Sequence, residues 1–176
     1  PKLKFSKNKK IISFISTINL KLLKKLTKNK NIVRAIPLPP VEINKGPIII
    51  CPPNKHTKNL FKYLGLVIEI RNEKISYKFW STASIMASYY ELLNISASWL
   101  VKKGVKRDKA NSYIAELFLS LSEDAVSKKN QGFKKLVADS QTPKGLNMKV
   151  IKELKKVKFF SNFIKALENV NKRVSK

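Results

Sequence analysis

Pro47-Ile48-Ile49-Ile50-Cys51 is followed by a helical pattern over 57–63, then by Gly65 and Leu66-Val67-Ile68-Glu69-Ile70. β-branched runs bounded by Pro, Asn and Gly are strand signals, because branched side chains pack well on a pleated surface. The same rhythm extends upstream. A strand is expected over 11–15, a short amphipathic helix over 20–26, a strand over 32–36 and a stiff loop at Pro37-Leu38-Pro39-Pro40. Short buried strands alternating with helices predict an α/β sheet. After about residue 71 the strand signals stop, and helical periodicity takes over. Helices are expected over 76–103 (with a break near 83–86), 108–128, 133–138, 142–157 and 159–172. Ile114, Leu117, Phe118 and Leu121 recur at helical spacing, as do Phe160, Phe163, Ile164, Leu167 and Val170. Such stripes read as core or subunit-interface faces. The expected architecture is α/β followed by all-α, with domains at 1–70 and 71–176.

Composition narrows the chemistry. The single cysteine, Cys51, excludes a disulfide within the chain and a cysteine metal cluster. The single histidine, His56, excludes a zinc site of several imidazoles, so no metal site is expected. A reducing, cytoplasmic setting fits. No run of eighteen apolar residues occurs, so no membrane span is expected. The first residue is Pro1 rather than Met, from which further chain upstream is expected.

The formal charge of +26 attracts polyanions in general. Specific nucleic-acid recognition is not expected, because arginine, the usual bidentate reader, occurs only at 34, 71, 107 and 173. A basic nucleic-acid-binding protein is kept as an alternative reading. The glycines at 46, 65, 104, 132 and 145 are all isolated, so the clustered turn that cradles a dinucleotide pyrophosphate is not in this sequence.

Thr142-Pro143-Lys144-Gly145-Leu146-Asn147 reads as a helix start, with Thr142 as N-cap and Pro143 at the first helical position. Gly145 in that first turn would lower helix stability by roughly 1 kcal/mol relative to alanine. Close approach of an anion to the unpaired first-turn N–H groups would explain it; an ordinary capped helix start is the plainer alternative.

Val33-Arg34-Ala35-Ile36-Pro37-Leu38-Pro39-Pro40 resembles the segment V-R-x-M-P-N-T-P of pyrroline-5-carboxylate reductases. Leu60–Gly65 resembles the helix end before that family's last sheet strand, residues 11–20 its strand and turn I-S-x-A-A-G-I-T, and residues 142–147 its loop S-P-G-G-T-T. The family segment S-G-S-G-P-A-Y stands here as Thr82-Ala83-Ser84-Ile85-Met86-Ala87-Ser88. Losing both glycines and the proline favours a more continuous helix there. The likeness is collinear over essentially the whole chain. It implies the C-terminal half of a Rossmann-type nucleotide-binding domain plus a helical dimerisation domain. The implied activity is NAD(P)H-dependent reduction of a small anionic cyclic imine, of the proline-biosynthesis type, in a homodimer or higher homo-oligomer.

Carried over by that resemblance, Ile15, Ser16, Thr17, Pro37 and Leu38 would meet NADPH or NADH. Ser84, Lys144, Gly145, Leu146 and Asn147 would meet the substrate. No catalytic residue is assigned. A non-catalytic dimeric relative is the other alternative.

Overall fold

The computed structural model describes residues 5–6 and 8–175. It divides into two compact units, one holding the residues up to Ser84 together with those from Ala166 on, the other Ile85–Lys165.

The first unit is built on one sheet. Its strands, β1 (Ile11–Ser13), β2 (Ile32–Ile36), β3 (Pro47–Cys51) and β4 (Leu66–Glu69), lie in that order. β1 and β2 are parallel, as are β3 and β4, and each pair is joined through a helix, α1 (Leu20–Thr27) and α2 (Lys55–Phe61). Between β2 and β3 the pairing is antiparallel, with Ala35 opposite Ile50. The connection over 37–46 holds only a 3-10 turn, Pro39–Ile43, and is too short for a crossover, which needs a dozen or more residues. Asparagines start the two crossover helices: Asn19 Oδ1 accepts from Leu22 N–H at 2.8 Å, and Asn54 Oδ1 from Thr57 N–H at 3.0 Å. Each satisfies one of the amides a helix start leaves open. Gly65 is required where it stands, because a Cβ there would overlap the Gly46 carbonyl. That carbonyl accepts the Leu66 N–H at 2.9 Å and starts the β3–β4 pairing.

Alternation along the strands gives the sheet two different faces. Val33, Ala35, Ile48 and Ile50 are buried against Phe61 of α2. On the other face Ile49 packs with Tyr77 and Trp80 of α3 (Glu73–Ala83), with Ile36, Ile68 and Ile70 alongside. Cys51 belongs to this second face, opposite Arg34 in the register, and is fully buried. Burial first, then the neighbouring Glu73 carboxylate, push its thiol pKa above the ordinary value. Both effects suppress the reactive thiolate. Native protein at pH 8 should therefore release almost no thionitrobenzoate from Ellman's reagent, and one equivalent after denaturation. Rapid native labelling would show the α3 face opening readily.

The second unit contains α4 (Met86–Lys102), α5 (Arg107–Ser127), α6 (Phe133–Asp139), α7 (Leu146–Lys156) and the first part of α8 (Phe159–Val174). α4 and α5 form an antiparallel hairpin around buried Ala97, Ala110 and Ile114. A T-shaped contact of Tyr89 with Phe118, centroids 5.9 Å apart, extends it. Small alanines at the centre let the helices approach closely, and Gly104 turns the chain between them with φ 92°.

Residues 76–103 do not form one helix. α3 ends at Ala83 and α4 begins at Met86. Ser84 makes the break without glycine or proline: its hydroxyl donates to the Ser81 carbonyl at 2.6 Å, and its amide turns back to Ser81 and Thr82. No helix among the described residues is long and apolar enough to cross a membrane.

Candidate functional site

β1 and β2 run parallel with Ser13 beside Arg34, so the segments that follow them leave from the same edge of the sheet. Those segments are the turn with Ile15, Ser16 and Thr17, and Pro37-Leu38. Ligands of open α/β sheets bind outside the carboxyl ends of strands, which is this edge. The side chains of Ile15, Ser16 and Thr17 are exposed, while Pro37 and Leu38 are half-buried. The structure thus brings all five expected cofactor residues to one edge, with two hydroxyls in the turn.

Beneath this turn lies a residue pair that the sequence reading did not single out. Arg34 is fully buried on the α3 face of β2. Its Nη1 donates to Glu73 Oε1 at 2.6 Å and to Tyr77 Oη at 3.3 Å. Its Nη2 donates to the Ile15 and Ser16 carbonyls at 3.1 and 2.7 Å. Nε is buried with no hydrogen-bond partner, and the guanidinium carbon lies 4.1 Å from the Trp80 ring centroid, within cation–π range. Glu73 Oε1 also accepts the Leu20 N–H at 2.8 Å, at the start of α1. Burial, then the Glu73 carboxylate, raise the Tyr77 phenol pKa. One signal was available: Arg34 is the only charged residue in an otherwise apolar strand, and a buried charge requires a partner. The identity of that partner, far along the chain, was not readable.

Ser84 closes the sheet-bearing unit, and its hydroxyl is already a donor to Ser81. Lys144–Asn147 belong to the helical unit. Thr142 is not the N-cap of the helix that follows. α7 begins at Leu146, and the capping position is Gly145, which offers no side chain. Residues 142–145 instead form a turn closed by the Gly145 N–H on the Thr142 carbonyl at 2.9 Å, with Lys144 at φ 62°. A Cβ on Gly145 would collide with the Thr142 hydroxyl and press on its carbonyl at 3.0 Å, so the close approach that demands glycine is the turn's own. Asn147 Nδ2 donates to the Ser140 carbonyl at 2.9 Å and ties the turn to the end of α6. No side chain caps the start of α7 and no acid lies in its first turn, so a positive helix end faces outward beside Lys144.

The helical unit also exposes a large apolar face. Phe160, Phe163 and Ile164 are 42, 36 and 57 % exposed. An open groove of about 840 Å³ runs between Ala87, Leu92 and Ile95 of α4 and Phe159, Phe160 and Phe163. Apolar surface on this scale marks an interaction site.

The ion pairs among the described residues use Glu69, Glu73, Asp124, Asp139 and Glu153, against 37 Lys and Arg in the chain. The surface is therefore strongly basic, which favours anionic ligands. Among the described residues no group of three His, Cys, Asp or Glu could hold a metal ion.

No curated protein matches the chain in sequence. Among the solved structures that share its fold are three reductases. The pyrroline carboxylate reductase of Plasmodium falciparum with NADP bound superposes with a TM-score of 0.82 at 22% identity, over 95% of this chain and 69% of that one. The pyrroline-5-carboxylate reductase of Coxiella burnetii gives 0.79 at 23%, over 93% and 63%. The 1-pyrroline-5-carboxylate reductase of Streptococcus pyogenes gives 0.85 at 19%, over 98% and 69%. This chain therefore spans about two thirds of the length of the proteins it resembles. Residues 76–176 match the family model for pyrroline-5-carboxylate reductase dimerisation, which is more than half of the sequence. On that match, over a fold shared almost end to end, the chain belongs to the pyrroline-5-carboxylate reductase family.

Proposed function

We propose that the chain carries the nicotinamide-side and substrate-side surfaces of an NAD(P)H-dependent reductase acting on a cyclic imine carboxylate, assembled as a homodimer. The observation that carries the substrate side is the uncapped, acid-free start of α7 behind a glycine turn. Backbone N–H groups at a helix start, aligned with its dipole, hold a carboxylate without any charged side chain. Lys144, at positive φ in the turn, adds charge beside them.

On the cofactor side, Ile15–Thr17 and Pro37-Leu38 offer an exposed backbone edge with hydroxyls and half-buried apolar surface, which suits a nicotinamide riboside. The cofactor supplies the hydride when bound. This chain's glycines are isolated, so the clustered turn that cradles a dinucleotide pyrophosphate is not in this sequence. Holding the imine by its carboxylate leaves the ring as the part that must be aligned, so the protein's contribution is positioning rather than acid–base chemistry. Cytoplasmic location and a role in proline formation complete this reading.

The test uses this chain joined to the nucleotide-binding segment of a longer reductase of the family. Gly145→Val forces the turn at Thr142 open and should lower kcat/KM for the imine by more than tenfold. Asn147→Ala removes the tie to Ser140 and should raise the imine KM about tenfold, equivalent to roughly 1.4 kcal/mol. Cofactor affinity, read by fluorescence titration, should stay within twofold in both. Normal imine reduction by both variants would leave the turn as no more than a helix start. A wild-type fusion that reduces no cyclic imine would favour the non-catalytic dimeric relative.

A further inference from the structure

We propose that Arg34, held by Glu73, is a positioning residue that sets the shape of the cofactor-facing turn. The inference deepens the preceding reading and rests on it. Ile15, Ser16 and Thr17 are exposed, Ile15 by 47 %, so their own side-chain packing contributes little to fixing the turn. What holds it comes from below. One guanidinium nitrogen, Nη2, takes the two successive carbonyls of Ile15 and Ser16. The other, Nη1, binds Glu73 Oε1, and the same oxygen takes the Leu20 N–H. A single ion pair thus grips the first two peptides of the turn and the first amide of α1. The segment between is left with defined ends and a free outer surface.

The choice of residues fits this task better than a purely structural one. An apolar side chain at position 34 would continue the surface of Ile36 and Ile49 and bring no desolvation cost; buried ion pairs are often replaceable by apolar residues without loss of stability. Arginine supplies what such a residue lacks, a planar fork whose arms reach in two fixed directions. A lysine at 34 could keep Glu73 or the carbonyls, not both in this geometry. Trp80 and Tyr77 complete the arrangement, their rings 4.1 and 5.4 Å from the guanidinium carbon, and keep the fork from tilting.

The experiment uses this chain joined to the nucleotide-binding segment of a longer reductase of the family, and compares wild type with Arg34→Lys and with the double variant Arg34→Met/Glu73→Gln. Lysine preserves the buried cation and its counter-charge; the double variant removes both, so neither leaves an uncompensated charge. Three readouts are taken: the NADPH dissociation constant by fluorescence titration, the imine KM, and hydrogen exchange at the amides of residues 15–20. Both variants should weaken NADPH binding at least tenfold and speed exchange in the turn, while the imine KM stays within about twofold. Variants that exchange faster in the turn yet bind NADPH as wild type does would overturn the proposal, as would weakening that only tracks the unfolded fraction seen by circular dichroism. A wild type that binds no nicotinamide cofactor overturns the underlying functional reading itself, an outcome distinct from the other two.

Discussion

Glu73→Ala should destabilise the sheet-bearing unit by about 3 kcal/mol, one of the largest losses open to a single substitution here. The Arg34 side chain is fully buried and Glu73 is 22 % exposed, with the ion pair at 2.6 Å. Removing the carboxylate leaves a guanidinium away from water with only two carbonyls, a phenol and a ring around it. Breaking a buried pair by deleting one partner costs about 3–5 kcal/mol. The partial exposure of Glu73 places the expectation at the low end, because water can reach the vacated position. The Leu20 amide also loses its acceptor. For a chain of this size the midpoint of thermal unfolding should fall by about 6–12 °C. The control is the double replacement Arg34→Met/Glu73→Leu, which should recover most of the loss because no orphan charge remains. A single variant melting within two degrees of wild type would mean that Arg34 finds another partner.

In the homodimer proposed above, Phe163→Asp should leave the chain monomeric. Phe160, Phe163 and Ile164 present one apolar stripe to solvent beside the groove on α4, within the region that matches the family's dimerisation model. In an isologous interface one substitution acts twice. Phe163 is 36 % exposed in the single chain, so the interface adds only about 1 kcal/mol of apolar burial on each side, and the larger part of the loss is the cost of burying a carboxylate in its place. The combined loss, about 4–6 kcal/mol, weakens the dimer roughly 10³- to 10⁴-fold. The fold of the subunit should survive, since position 163 faces out of the single chain. Sedimentation equilibrium at micromolar concentration distinguishes the outcomes, with circular dichroism as the check on folding. An unchanged dimer would move the interface to another face.

Much of this fold was readable from residue type and spacing. β2 and β3 fall where Ile32–Ile36 and Pro47–Cys51 were expected, because dense β-branched runs bounded by turn residues leave few alternatives. β1 is shorter than 11–15, since Phe14 and Ile15 leave the sheet for the turn that Arg34 holds. The helical breaks followed periodicity, and the break at 84–85 survived without glycine or proline through a serine hydroxyl. The start of α7 was placed three residues early, with Thr142 rather than Gly145 as its cap. A good capping residue before proline was outcompeted by a turn in which the Gly145 amide reaches the Thr142 carbonyl. Of the candidate site, the residues at the carboxyl edge of β1 and β2 were named from family likeness. The pair beneath them was missed because its partners lie on β2 and α3, and sequence reveals that a buried charge needs a partner but not which one.

The two faces of the sheet also assemble under different rules. Val33, Ala35, Ile48, Ile50 and Phe61 can collapse incrementally, each contact excluding water by itself. The opposite face cannot close in that way. Drying β2 against apolar neighbours before Glu73 arrives would strip an arginine of water with no counter-charge, a step uphill by several kcal/mol. Closure of that layer is therefore conditional on α3, whose first residue is Glu73. The ion pair thus makes the second layer depend on α3: it seals only once Glu73 is in place beside Arg34, and the same contact fixes the turn above it.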